Sequence, residues 1–470
     1  MARTNVRVKK PKIYTHEGGR AQHINPELQL RRSVMACMLW EDEFYESGKT
    51  IADRVRELVP LVKPDLVSRM AIEARERMYL RHMPLYLVRE MARSNGHKAY
   101  VADTLSRVIQ RADELAEFMS IYWAEGRQPL SAQVKKGLAN AFTKFDEYQL
   151  KKYNRDNAVK LRDVLFLCHA KPKDEEQAAV WKRLVDNELA QAKTWEEELS
   201  KGEHKKTEED KKAVWERQLS SGKLGDMALL RNLRNMHEAG VSENLIEEAM
   251  RNARFRKVLP FRFVAAAKMN KWYEPMIEEA MLRKMSHYMK LAGHTVILVD
   301  VSGSMDARLS TQSDLERVDV ACSLAAFMRE VCEKVDVFTF SNSLVQVPAR
   351  RGFALVDACN KSQHHGGTYL GGAVEAIYAT KRPEARSRRY NEWYYGQLDP
   401  PSQGLKPDRL VVITDEQAHD DVILPRGMKG YMINVASAAN GVGYGNWLHI
   451  DGWSEAVIDY IVELEQNELY

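Results

Sequence analysis

Residues 295–306 read "TVILVDVSGSMD". The apolar run Val296–Val299 shows no polar alternation, so it reads as a strand covered on both faces. It then gives way to Asp300, Ser302 and Ser304 at alternate positions, with Gly303 between the serines. In open α/β sheets ligands bind where a strand's carboxyl end turns into the next element. A carboxylate followed by hydroxyls two and four residues on supplies hard oxygen donors from a single turn, which suits Mg²⁺ or Mn²⁺ better than zinc.

Working outward, "KVDVFTF" (334–340), "RLVVITD" (409–415) and "GYMINV" (430–435) are further apolar runs. They alternate with helical stretches, "LERVDVACSLAAFMREVCEK" (315–334) and "LGGAVEAIYATK" (370–381). This interleaving predicts a mainly parallel sheet with helices on both faces, beginning near residue 288. Two more strand-end loops offer oxygen donors: "HHGGTYLGG" (364–372) presents Thr368 and "LVVITDEQ" (410–417) ends its strand in Asp415. Three loops could then converge on one octahedral ion. The alternative is a Ser/Gly turn capping the next helix, with Asp300 as a buried acceptor. A serine-hydrolase elbow is excluded, because "VSGSM" lacks the first glycine of G-x-S-x-G.

Asp-x-Ser-x-Ser followed by a Thr and then an Asp resembles the von Willebrand factor A pattern, over residues 294–470. That resemblance implies that Asp300, Ser302, Ser304, Thr368 and Asp415 form a metal-ion-dependent adhesion site for Mg²⁺ or Mn²⁺. It also implies that the ion's open position takes an acidic group from a partner.

Upstream, residues 26–290 read as successive helices. "NPELQLRRSVMACML" (25–39) opens with Asn25 as N-cap and Pro26 at the first helical position. "ADRVRELVPLV" (52–62), "KPDLVSRMAIEARERM" (63–78) and "MPLYLVREMARSN" (83–95) carry apolar residues three and four apart. Short segments with short connectors favour stacked antiparallel helix pairs, an α-solenoid, over a bundle. The stretch 193–223, rich in charges of both signs, reads as a solvated helical excursion, and 381–408 as a surface insertion.

The 470 residues are 44% hydrophobic and 29% charged, ordinary for a soluble chain of two or three domains. Five scattered cysteines without a CxxC pair suggest neither a disulfide framework nor a zinc knuckle. The basic N-terminus lacks an apolar segment behind it and no run approaches membrane-spanning length, so a cytoplasmic protein is expected. The net charge of +4 conceals an asymmetry: residues 1–290 hold 54 Lys and Arg against 42 Asp and Glu, and residues 291–470 hold 16 against 24. A basic first part suggests a polyanionic partner, and an acidic second part suits a cation site.

"ERMYLRHMPLYLVREMA" (76–92), "LRDVLFLCHAKP" (161–172), "DMALLRNLRNM" (226–236) and "LPFRFVAAAK" (259–268) resemble the TROVE domain of the Ro autoantigen family and its bacterial orthologues. The resemblance spans about 16–287, behind a basic tail at 1–15 and ahead of the A-like domain at 288–470. It implies a HEAT-like helical-repeat ring followed by an α/β, Rossmann-like A domain. Small noncoding Y-like RNAs would bind the outer surface and single-stranded 3′ ends of misfolded RNA the central hole. The implied role is an RNA quality-control scaffold, monomeric and not an enzyme, with a 3′ exonuclease as a further partner. His169 matches the family's Y RNA-contacting histidine and Lys152 an upstream lysine, while a family arginine falls near Arg155, where the local sequence is offset by one position. Arg77 and Arg81, and Arg254 and Arg256 in "RNARFRKVLPFRF" (251–263), are further candidate phosphate contacts, the interleaved phenylalanines reading as core. The competing expectation is a metal-dependent protein-interaction module without RNA function.

Overall fold

The computed structural model describes residues 12–190, 195–200, 207–222, 224–256, 258–309, 315–379, 401, 404–424 and 427–467. The basic tail through residue 11 and most of the 381–408 insertion lie outside the described residues.

From Pro26 to Met285 the described chain is helical. Local chemistry sets many of the starts. The Asn25 side chain accepts from Leu28 N with Pro26 in the first turn, Ser47 accepts from Thr50 N, and Asp146 and Gln149 form a reciprocal capping box. The charged excursion contains helices Trp195–Ser200 and Glu208–Ser220, held together by Trp195 stacked on the buried Trp215 at 5.3 Å. Successive helices bury one apolar face each in a core that continues from Leu30 to Met285 and on into the sheet domain.

The last helix of this series, Glu274–Met285, leads into β1 (Leu291–Asp300). β2 (Cys332–Phe340), β3 (Leu344–Gln346), β4 (Arg409–Thr414), β5 (Lys429–Asn434) and β6 (Leu448–Asp451) complete a six-stranded sheet in the order β3-β2-β1-β4-β5-β6. All neighbours are parallel except the β2–β3 pair. Both faces are covered, as the unbroken apolar runs predict. Ile297, Val299, Val411 and Ile413 face the core shared with helix Arg317–Glu330 and the helical domain, while Val296, Leu298, Leu410 and Val412 face helix Leu370–Tyr378. The predicted fold class, helical repeats followed by an α/β A-type domain, is the observed one. Strands β3 and β6 were not anticipated: at three and four residues they are too short for an apolar run to reveal.

The sheet domain touches both ends of the helical series. At the beginning, Arg32 is fully buried and donates to Glu416 Oε2 (2.8 Å), Ala438 O (2.6 Å) and Asp415 O (3.2 Å), and Glu43 pairs with Arg317 at 2.8 Å. At the end, Lys268 pairs with Asp319 (2.6 Å), Glu278 accepts from Phe353 N (2.8 Å) and Lys284 pairs with Glu455 (2.6 Å). The two ends also meet directly, Tyr79 Oη lying 3.4 Å from Arg256 O. The helices therefore form a closed circuit with the sheet domain as its clasp.

Removing one partner of a buried ion pair leaves the other charge without compensation, at about 3–5 kcal/mol. Arg32→Ala is expected to destabilise the chain by that amount, measured as a lower chemical-denaturation midpoint, with limited proteolysis opening first between the N-terminal helix and the sheet.

Candidate metal centre and nucleic-acid interface

Strand order places β1 beside β4, and the chain leaves these two strands toward opposite edges of the sheet, the switch point where open α/β sheets bind ligands. Val299 pairs with Ile413, so Asp300 and the 414–415 segment emerge side by side. Asp300 is fully buried; its Oδ1 accepts from Ser302 N (2.9 Å) and its Oδ2 from Thr414 Oγ1 (2.5 Å). Ser302 and Ser304 hydroxyls lie 3.3 Å apart. The second loop joins the first through Gly303 N donating to Gly366 O (2.8 Å), and the third through Thr368 N donating to His419 Nδ1 (2.9 Å). Asp300, Ser302, Ser304, Thr368 and Asp415 are all buried around this convergence.

The electrostatics fit a cation. Burial, and then the charge of Asp415, push the Asp300 carboxyl well above the ordinary carboxylate range. Asp415 Oδ1 accepts from Gln417 N (3.0 Å), but its Oδ2 is buried with no hydrogen-bond partner. An orphaned carboxylate oxygen facing a second buried carboxylate is what a divalent ion would satisfy. Among the described residues no cluster of three His, Cys, Asp or Glu side chains is placed to hold a metal. Two carboxylates with three hydroxyls would make an oxygen-only donor set, which suits a hard divalent cation of the Mg²⁺ or Mn²⁺ kind. Two residues outside this donor set border it, His419, which holds Thr368, and Tyr45, which reaches Ser304, and Glu17 joins the two from the N-terminal region. Sequence spacing carries no signal for contacts between segments some 400 residues apart.

The candidate RNA residues separate into three settings. Arg77 pairs with Glu463 (2.9 Å) and lies over the Tyr460 ring, and Arg81 pairs with Asp113 (3.2 Å) and Glu117 (2.7 Å), so both are engaged inside the fold. Arg155 and His169 are exposed and Lys152 half-buried, on the neighbouring helices Glu147–Tyr153 and Leu161–Cys168 and their ends. His169 is the C-cap residue of its helix, in the left-handed region at φ 54°. Phe166, 59% exposed three residues before it, carries no sequence signal of its own because it fits the helix's apolar pattern.

Arg254 and Arg256 occupy the third setting. Phe255, Phe261 and Phe263 are buried, as expected, and hold the segment while both arginines stay exposed. They line a cavity of about 670 Å³ with Arg251 and Arg283 from the late helices, His287 just beyond them, Tyr79 from the connector between helices Pro64–Glu76 and His82–Arg93, and Glu455 and Asp459 from the sheet domain. Tyr79, in the left-handed region at φ 56°, is a further residue that periodicity could not single out.

A helical-repeat domain closed by a von Willebrand A-type sheet domain is the class this architecture defines. Residues 186–320 match the TROVE domain family. The chain is similar in structure to the Ro (RSR) protein of Deinococcus radiodurans, with a TM-score of 0.58 and 19% identity over 94% of this chain and 100% of that one. The resemblance to a bacterial-type Ro protein, read from the sequence, is thereby borne out, in sequence by the TROVE match and in fold by a likeness spanning both domains.

Asp415→Asn removes the like charge facing Asp300. It is expected to raise the stability of the metal-free chain on the order of 1 kcal/mol, the equivalent of one pKa unit. The same substitution should abolish the rise in melting temperature expected of the unmodified chain in millimolar Mn²⁺, a pairing of opposite signs that differential scanning fluorimetry would register.

Proposed function

We propose that this protein is an RNA-binding scaffold of the Ro type, not a catalyst. Structured, Y-like noncoding RNA is held by the outer set Lys152, Arg155 and His169, and the single-stranded 3′ end of misfolded RNA by Arg254 and Arg256. The observation that carries this reading is the cavity at the clasp, where exposed arginines from the end of the helical series stand beside Tyr79 from its beginning. Guanidinium groups neutralise backbone phosphates, and an adjacent aromatic ring offers a face to an unpaired base. The pairing of Lys284 with Glu455 offsets one of the two acidic groups in the wall. Arg77 and Arg81, committed to carboxylates, contribute by positioning helices more than by touching phosphate.

The sheet domain adds a metal-dependent docking function, favoured by the buried, unpartnered Asp415 Oδ2. Asp300, Ser302, Ser304, Thr368 and Asp415 would hold Mg²⁺ or Mn²⁺, which supplies a positive charge for an acidic protein partner. A 3′ exonuclease is the partner class that fits RNA quality control. We place the protein in the cytoplasm as a monomer, in keeping with the mixed surface charge; among the described residues no helix is long and apolar enough to cross a membrane.

For single-stranded RNA, the log–log salt slope becomes shallower by about 0.7 for every phosphate that the protein no longer neutralises. Arg254→Glu with Arg256→Glu is therefore expected to reduce the slope for an RNA with a single-stranded 3′ tail by about 1.4, and affinity at least tenfold at low salt, as read by fluorescence anisotropy. Lys152→Glu with His169→Glu should instead weaken a fully structured RNA and leave tail binding nearly unchanged. Equal binding of tailed RNA by the Arg254/Arg256 variant and the unmodified protein would rule out the cavity as the tail site.

A further inference from the structure

The N-terminal segment does more than precede the first helix. Tyr14 and Arg20 bridge across a tight turn, and the turn lies on the loop that follows β4. Thr15 Oγ1 donates to Ala418 O (2.7 Å), His16 N to Gln417 Oε1 (3.0 Å), Gly19 N to Ala418 O (3.0 Å) and Gln22 N to Gly441 O (3.1 Å). The approach is close enough that a Cβ at Gly19 would sit 2.3 Å from Ala418 O. The loop so covered is the one that supplies Asp415 to the candidate ion site.

At the tip of this turn Glu17 points toward that site through two partners. One carboxylate oxygen lies 2.7 Å from His419 Nε2, and His419 Nδ1 accepts from Thr368 N at 2.9 Å. The other accepts from the Tyr45 hydroxyl (2.5 Å), and Tyr45 in turn reaches Ser304. Each oxygen of Glu17 is thus one side chain away from a residue of the donor set. The five donors of the site fall short of the six oxygens that Mg²⁺ takes.

We propose that Glu17 is the acidic ligand of this ion site, supplied by the chain itself. Resting on the reading of Asp300, Ser302, Ser304, Thr368 and Asp415 as a metal centre, the assignment makes the ion a second fastening between the N-terminal turn and the sheet. An acidic partner protein must displace Glu17 to reach the ion. Docking at the metal centre is then tied to release of the N-terminal turn from the 417–418 loop.

The test is Mn²⁺ alone, titrated calorimetrically into the full chain and into Glu17→Gln, with water-proton relaxation of the bound Mn²⁺ as the second measurement. Glu17→Gln keeps a side chain that can accept from Tyr45 but loses the charge. It is expected to weaken Mn²⁺ binding about tenfold or more, and to increase relaxation because a water takes the position the carboxylate leaves. Weaker binding with unchanged relaxation would mean that Glu17 only positions the turn, and would overturn the proposal. Unaltered affinity would overturn it as well while leaving the metal centre intact. Failure of the unmodified chain to bind Mn²⁺ would remove the centre and the proposal together.

Discussion

The fold depends on one buried ion pair, Arg32 with Glu416, formed between the first helix and the turn that follows β4. Both side chains are fully buried, so the pair exists only while the two domains are in contact. Burial works against the charge on each, and they compensate one another: Arg32 first and His449 next hold Glu416 below its usual range. Burial would likewise lower the His449 imidazole, but Asp451 and Glu416 raise it to about 9, so the cluster of four holds two cations and two anions at neutral pH. Packing around it leaves no slack. A Cβ at Gly441 would meet Glu416 Oε2 at 1.8 Å, so the backbone passes where no side chain fits. A desolvated charge cluster of this kind adds little net stability over an apolar contact of the same shape, but it penalises any arrangement that separates its members.

Position 416 gives this cluster a functional neighbour. Glu416 sits in the left-handed region at φ 62°, uncommon for a non-glycine residue, and the same short turn directs Asp415 to the ion site and Glu416 to Arg32. Arg32 also donates to the Asp415 carbonyl oxygen. The fastening of the domains and the geometry of the candidate metal centre therefore share three consecutive residues, 414–416. Closure of the circuit has a second product some distance away, where Tyr79, the 251–256 segment and the last helix of the chain come together around one cavity. No one of these segments encloses it alone. The RNA binding proposed for this place would be a property of the closed circuit.

Much of this was legible in the sequence because the relevant signals are local. The run Val296–Val299 and its counterpart Leu410–Ile413 in β4 are apolar at every position because both faces of those central strands are buried, and that is visible in one dimension. The oxygen donors at 300, 302, 304 and 415 stand at the ends of β1 and β4, so strand prediction located them, whereas Thr368, expected at a strand end, lies in the loop between helices Gly352–Asn360 and Leu370–Tyr378. Glu17, Tyr45 and His419 have no such marker, since their association depends on an N-terminal turn lying against a loop about 400 residues later. Arg77 and Arg81 show the opposite limit: an arginine on a helix reads alike whether its partner is a phosphate or, as here, Glu463 or Glu117 from a distant helix.

The most direct test of the account is ultraviolet crosslinking of the full-length protein to an RNA with a single-stranded 3′ tail, followed by mass spectrometry of the crosslinked peptides. The account predicts that nucleotides of the tail attach to peptides containing Tyr79 and to peptides spanning 251–256, two segments brought together only by closure. Tail crosslinks confined to the sheet domain, or to the outer helices around His169, would contradict it.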